Sequence, residues 1–295
     1  MNSDKLQFAI FGNEYSSHGL CVVKDVLAAL KRHGAEVVID RQYYDYLFGT
    51  GMADIDSCGV FDGSDFSADY AISMGGDGTF LRAASRVGVK GIPIVGINLG
   101  HLGFLADIAP DEAGDTIDAI YRGEYRFVER SVVEAVVSDG EISGCPYALN
   151  EVAVLKRDMA SMISVRTTIG GEYLTTYKAD GLIVSTPTGS TAYSLSNGGP
   201  IIAPSTDVLC LTPVAPHSLS ARPIVIGDDK EIELEVCSRS HNFLIAIDGR
   251  SEKLHEGTIV TIRKAPFTIH ILKRLGKQYL KNLREKMSWG ATNTK

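Results

Sequence analysis

The stretch ISMGGDGTFLRAAS, residues 72–85, sets an aspartate, Asp77, inside a glycine triplet where an apolar strand gives way to a helical pattern. Glycine serves at such a junction where the backbone needs a positive φ or must let something large approach. The first N–H groups of a helix form an anion site, and neighbouring glycines let a phosphate chain lie against the backbone. The run is not a Walker A loop, since no lysine follows in GxxxxGK[ST] spacing, nor the GxGxxG dinucleotide fingerprint. A strand-to-helix turn that needs glycine for its own geometry would look the same. Asp77 argues for chemistry: a carboxylate beside phosphates repels them unless it holds a metal or accepts a proton from an attacking hydroxyl. Kinases use an aspartate for the second task. Aspartate is a weak base in general, so its positioning matters more than its proton affinity.

A second cluster, ADGLIVSTPTGSTAYSLSNGGPII, covers residues 179–202. LIVST reads as a strand, and the residues after it crowd turn formers, hydroxyls and a tyrosine together. Thr186, Thr188, Ser190, Thr191, Ser194, Ser196 and Asn197 offer donors and acceptors without fixed charge, and Tyr193 offers a flat face. That combination suits a nucleoside, with hydroxyls and amides reading base edges and sugar while the ring stacks or lines the pocket.

The elements that position these clusters change character near the middle of the chain. LQFAIFGN (6–13) reads as a strand and SSHGLCVVKDVLAALKRHG (16–34) as a helix, with Leu20, Val23, Leu27 and Leu30 at helical spacing and Gly34 as its stop. AEVVID (35–40) is the second strand, followed by a loose polar stretch. DYAISMGG (69–76) and GIPIVGINLG (91–100) are near-continuous apolar strands, as a parallel sheet covered on both faces requires. GTFLRAASRVG forms a short helix between them, and DEAGDTIDAIYRG (111–123) a further one with acids in its first turn. From about residue 125 the pattern is strand-like and rich in Val, Ile and Thr: YRFVERSVVEAVV, ALNEVAVLKR, MISVRTTI, EYLTTYKADGLIVST, DVLCLTPV, PIVIG, EIELEV, FLIAIDG, TIVTIRKA and FTIHIL. KQYLKNLREKMSWG is helical again. The expected fold is an α/β open-sheet N-terminal domain, residues 1–124, carrying GGDG, and an all-β sandwich-like C-terminal domain, residues 125–274, with a helical tail, 275–295, grouped with the first domain.

Bulk properties narrow the class. A chain of 295 residues exceeds what one core usually serves. A net charge of −7 with no visible basic patch leaves no nucleic-acid surface and no polybasic membrane patch to expect. The first residues lack the basic and long apolar regions of a signal peptide, and no apolar run approaches a membrane span, so a cytoplasmic protein is expected. Cys21, Cys58, Cys145, Cys210 and Cys237 are scattered without a CxxC pair, which reads as reduced, buried thiols rather than a zinc site.

Taken together, GGDGTFLRA, INLGHLGFL (97–105), LNEVAV (149–154), ADGLIVSTPTGSTAYSLSNGGPI, PVAPHSLSARPIV (213–225) and IDGR (247–250) resemble the NAD kinase family, in order and over nearly the whole chain. GGDG alone is shared with diacylglycerol and sphingosine kinases and phosphofructokinases; the TPTGSTAY block and the Asn-Glu pair carry the narrower resemblance. It implies transfer of the terminal phosphoryl group of ATP to the 2′-hydroxyl of the adenosine ribose of NAD. Asp77 is then the base, and Gly76 and Gly78 leave room for phosphates. Asn150 and Glu151 hold ribose hydroxyls, the carboxylate accepting from two at once. Asp180 contacts the dinucleotide, and Thr188, Ser190, Thr191, Ala192, Tyr193, Ser194 and Ser196 belong to its binding wall. Arg82, Lys178 and Arg250 align with positions touching the dinucleotide, Lys178 and Arg250 being departures that bear on substrate preference. Phe104 is an apolar contact near the nucleotide, and Asp248 shifts from a turn aspartate towards the site. The resemblance further implies a divalent cation, Mg2+, delivered with ATP and needing no protein cage, homodimers or homotetramers, and a tail packed on the first domain with Trp289 in a packed position.

Other residues have plain readings. His217 lacks an orienting acid and sits among prolines, which favours structure. His101 and Arg222 stay ambiguous, and the basic tail KRLGKQYLKNLREK reads as a solvated helix face. Two rival functions stay open: a lipid or sugar kinase sharing the GGDG turn, which has no reason to keep a polar nucleoside wall, and an NAD sensor, which has no need of Asp77.

Overall fold

The structure, a computed structural model, describes residues 5–13, 19–100, 103–158, 161–276 and 279–289. The chain divides into two compact units, Met1–Val128 with Ile269–Lys295, and Glu129–Thr268.

In the first unit the order is β1 (Gln7–Gly12), α1 (Leu20–Arg32), β2 (Glu36–Asp40), α2 (Arg41–Gly49), β3 (Gly59–Phe61), β4 (Tyr70–Met74), α3 (Asp77–Val87), β5 (Ile94–Ile97) and α4 (Ala113–Arg122). The strands form a parallel sheet in the order β3-β2-β1-β4-β5. The chain's closing strand adds to β5 in parallel, Ile271 beside Ile94. Apolar continuity in β1 follows from burial on both faces: Phe8, Ala9, Ile10 and Phe11 are all fully buried. Phe8 and Ile10 join a core with Val23, Val26 and Leu30 of α1 and Ile117 and Ile120 of α4. Phe11 meets Phe61 and Phe66 edge-on. Strand order reverses between β1 and β4, and in open parallel sheets ligands bind outside the carboxyl ends of the strands at such a switch point. The GGDG turn leaves β4 there.

The stretch expected to be loose holds α2 and β3. Tyr43 and Leu47, four apart, are buried under α2, and the sparse apolar content of RQYYDYLFG hides that stripe. Helix α1 starts at Leu20; Ser16 and Ser17, read as its beginning, lie outside the described residues. The cysteines are free as expected, but only Cys210 is buried, Cys21 and Cys237 being exposed on the outer side of their elements.

The second unit contains β6 (Tyr125–Val137, which begins in the first), β7 (Tyr147–Ala148), β8 (Glu151–Lys156), β9 (Ile163–Ile169), β10 (Glu172–Ala179), β11 (Gly181–Ser185), the short α5 (Tyr193–Ser196), β12 (Val208–Val214), β13 (Ile224–Gly227), β14 (Ile232–Cys237), β15 (Asn242–Ile247), β16 (Arg250–His255) and β17 (Ile259–Arg274, which ends in the first). One antiparallel sheet runs β13-β12-β11-β8-β15-β16; the other runs β10-β9-β14-β17, with β6 and β7 also attached. Val154, Leu182, Leu211 and Phe243 from the first share a core with Val165, Leu234, Val260 and Ile262 from the second, which makes a sandwich. Two boundaries differ from the sequence reading. EYLTTYKADGLIVST is two strands in different sheets, split at Asp180, whereas TIVTIRKA and FTIHIL are one strand through Pro266, which lies between the stretches paired with β14 and β5.

Helix α6 (Tyr279–Lys286) closes the first unit with Leu283 buried. Trp289 is not packed as expected: it is 52% exposed, because the helix ends before it and Ser288, at φ 54°, turns the chain.

Candidate active site

In the first unit, Gly76 caps α3 and Asp77 is its first residue. A negative side chain suits the positive end of the helix dipole. A Cβ on Gly76 or Gly78 would meet open space, whereas Gly75 is pressed against Thr79. Asp77 is far from a free carboxylate. Its Oδ2 accepts the Phe104 backbone N–H at 2.9 Å, and its Oδ1 accepts those of Leu105 and Ala106 at 3.0 and 3.1 Å. Lys286 of α6 puts its Nζ 3.7 Å from the same Oδ2 and 4.2 Å from the centroid of the Phe104 ring. Three of roughly four acceptor positions on the carboxylate are thus filled, leaving one on Oδ2. Gly103 permits this arrangement, because a Cβ there would overlap the Asp77 carboxylate.

The other side of that loop is tied down as well. Asn98 Nδ2 donates to the Ala106 carbonyl at 3.2 Å. Asp107 forms a buried ion pair with Lys273 of β17 at 2.8 Å and accepts from Asn282 Nδ2 of α6 at 3.2 Å. Lys273 also donates to the Leu105 carbonyl at 3.3 Å. Within the basic tail Lys281, Arg284 and Lys286 of α6 are exposed, as a solvated helix face requires, whereas Lys273 of β17 is buried. Arg82 lies across the end of β1, donating to the Gly12 carbonyl and, at 3.4 Å, to Gln42. His101 lies outside the described residues.

In the second unit, the turn after β11 is folded against the Asn-Glu pair. Thr186 donates its hydroxyl to the Leu149 carbonyl at 2.6 Å and its N–H to the Asn150 carbonyl at 2.9 Å. Gly189 packs so closely that a Cβ would overlap the Asn150 carbonyl. Gly189→Ala should destabilise this unit by about 1–3 kcal/mol, read as a lowered thermal midpoint; an unchanged midpoint would contradict this packing. Ser190 and Ser194 are fully buried, their hydroxyls bonded to Pro187 and Ile202 and to Thr212, so they shape the turn. Thr191 bonds back to Thr188, whose own hydroxyl is buried without a partner. Thr191 and Ala192 are half-buried, and Tyr193 and Ser196 are exposed.

Asp248, at φ 46°, carries more than a turn. Its carboxylate accepts the backbone N–H groups of Leu149, Asn150 and Glu151 at 2.8, 2.8 and 3.2 Å, fixing the Asn-Glu pair from behind. Burial pushes Asp248 above the ordinary carboxylate range despite those bonds. Burial, and then the Asp248 charge, push Glu151 up to about 8 against one bond from the Tyr193 backbone, and its Oε2 is buried without a partner. In neutral solution Glu151 is thus largely a protonated acid, one donor and one acceptor, rather than the double acceptor the resemblance implies. With the folded value raised from 4.5 to about 8, burial of Glu151 carries no penalty below pH 4.5, and stability is lost as pH rises through that window. The thermal midpoint of Glu151→Gln should therefore gain on wild type between pH 5 and pH 8.5; a pH-independent difference would contradict the protonated state.

Asp180, at the corner between β10 and β11, pairs with Lys156 at 2.7 Å, a partner that no residue pattern singles out. Lys178 is exposed on β10. Arg250 donates to the Ile247 and Tyr147 carbonyls at 3.1 and 2.9 Å, which holds the strand turn. His217 is exposed, its backbone N–H on the Lys178 carbonyl, and Arg222 bonds to carbonyls of its own loop.

Family models described as the ATP-NAD kinase N-terminal and C-terminal domains match residues 8–125 and 149–274. The chain is 53% identical to an NAD kinase of Bacteroides fragilis, covering 97% of this chain and 99% of that one. It is 43% identical to one of Porphyromonas gingivalis, covering 97% and 98%. Among solved structures, an Archaeoglobus fulgidus NAD kinase in complex with ATP superposes with a TM-score of 0.74 at 27% identity, covering 96% of this chain and 99% of that one. Yeast NADH kinase complexed with NADH shares the fold, with a TM-score of 0.88 at 20% identity over 99% of this chain and 89% of that one.

Proposed function

This chain belongs to the ATP-NAD kinase family and is a phosphotransferase, and from that premise we propose that it transfers the terminal phosphoryl group of ATP to the 2′-hydroxyl of the adenosine ribose of NAD. The observation that carries the reading is the carboxylate of Asp77, held by three backbone N–H groups at the N-terminus of α3 and at the switch point of the sheet. Its remaining acceptor position takes the proton of the 2′-hydroxyl as that oxygen bonds to the terminal phosphorus. The bond from phosphorus to the bridging oxygen breaks, ADP leaves with the electron pair, and NADP and one proton complete the balance. Such transfer depends mostly on positioning and charge stabilisation.

Gly76 and Gly78 face the phosphates with open space above their Cα atoms. Asn150 and a protonated Glu151 bind ribose hydroxyls, with Asp248 positioning both through the backbone. Thr188, Thr191, Ala192, Tyr193, Ser196 and Asp180 line the dinucleotide wall, and Ser190 and Ser194 keep its shape. Arg82, Phe104, Lys178 and Arg250 are peripheral contacts. Among the described residues no group of three His, Cys, Asp or Glu side chains is placed to hold a metal ion. A divalent cation, Mg2+, carried in on the triphosphate fits that donor set, since magnesium keeps water and phosphate oxygens as ligands. Bound there it spreads the charge of the migrating group. Homodimers or homotetramers and a cytoplasmic setting complete the proposal; no described helix is long and apolar enough to cross a membrane.

The test is NADP formation by the purified protein from NAD, ATP and magnesium, read by separating the nucleotides. NADP and ADP in equal amounts are expected. NAD binding without NADP would favour a sensor instead, and failure to bind NAD would favour a kinase for another alcohol.

A further inference from the structure

Resting on that reading of the site, we propose that Lys286, from the last helix of the chain, is a catalytic cation that contacts the transferred phosphoryl group. Two observations made within the first unit carry this. Lys286 Nζ lies 3.7 Å from Asp77 Oδ2, the oxygen with an acceptor position left, and its side chain is 30% exposed, so the ammonium has solvent-facing room to move. Helix α6 is fixed where it stands by buried Leu283 and by Asn282 on Asp107.

Distance makes the consequence concrete. A base acts on a hydroxyl oxygen about 2.6–3.2 Å away, and that oxygen attacks phosphorus from about 3–3.5 Å. The migrating phosphorus therefore lies within about 6–7 Å of Asp77 Oδ2. An ammonium already 3.7 Å from that oxygen, on a flexible stem, reaches the phosphoryl oxygens with a small change of rotamer. Charge argues the same way. The GGDG turn brings a carboxylate to a phosphate site and no lysine of its own. Arg82, the basic residue of α3 nearest the turn, is bonded to Gly12 and Gln42. Lys286 sets a positive charge beside Asp77, and the Phe104 ring lies 4.2 Å from the ammonium. A P-loop lysine does this work from within its own turn; here it comes from the opposite end of the chain.

The experiment compares wild type, Lys286→Met and Lys286→Arg for NADP formation at saturating NAD and ATP, alongside NAD binding and thermal midpoint. Lys286→Met should lose turnover by about 10–100-fold, less than a fully buried donor would because the ammonium is partly solvated. KM for NAD and the midpoint should stay near wild type, and Lys286→Arg should recover a large part of the rate. Wild-type turnover in Lys286→Met would overturn the assignment, as would a loss matched by lost NAD binding or a lowered midpoint, or a charge-preserving variant as slow as Met. If wild type itself forms no NADP, the functional reading has failed and the role of Lys286 falls with it, an outcome distinct from an active wild type with an indifferent Lys286.

Discussion

Asp77→Asn should cut NADP formation by about 10²–10⁴-fold, the usual contribution of a general base, while NAD binding persists. The structure adds a second deficit. Three backbone N–H groups converge on this carboxylate. An amide offers one oxygen and turns its NH2 towards donors, so at least one N–H of residues 104–106 loses its acceptor, at a cost of about 1–3 kcal/mol. Gly103→Ala separates the two effects, because it crowds the same carboxylate without removing it. If loop damage explains everything, the two variants will be equally slow. If Asp77 is the base, Asp77→Asn will be slower by a further factor of about 10² or more. Near-normal turnover in Asp77→Asn would end the assignment.

Lys273→Met should be the most damaging substitution away from the glycine turn. Lys273 and Asp107 are 7% and 5% exposed and 2.8 Å apart, and deleting the ammonium leaves a buried carboxylate with Asn282 as its side-chain partner among the described residues. Breaking such a pair costs about 3–5 kcal/mol. Replacing both members by apolar residues of similar volume is far milder, so Lys273→Met combined with Asp107→Leu should recover much of the loss. Thermal unfolding of the four proteins of this cycle measures it. A double variant worse than either single one would show that Asp107 matters chiefly through Asn282.

These residues also show where sequence reading stops. The parallel strands were legible because burial on both faces leaves an unbroken apolar run, as in AIF of β1. Asp77 stood out in the sequence as an acid among glycines at a strand end. Its three backbone donors did not, since a side chain accepting from a distant loop leaves no residue-type signature. Lys286 was hidden for a related reason: in KRLGKQYLKNLREK several cations look alike, and only the fold distinguishes the one beside Asp77. Asp248 and Lys156 became visible through contacts 97–99 and 24 residues away along the chain. The corner at Asp180 escaped because both flanking segments are good strand formers and nothing in their composition says that they belong to different sheets.

The closing strand and tail also constrain how the protein is made. Residues up to 128 emerge from the ribosome early and contain the whole GGDG turn, yet the strand beside β5, the counter-ion of Asp107 and the ammonium beside Asp77 all come from residues 271–286. The second unit must be synthesised in full before the first can be finished. A nascent chain of that length thus carries Asp77 and Asp107 without Lys286, which lies beside the first, or Lys273, which pairs with the second. The first unit is thus completed only when β17 and α6 have followed the second unit out of the ribosome.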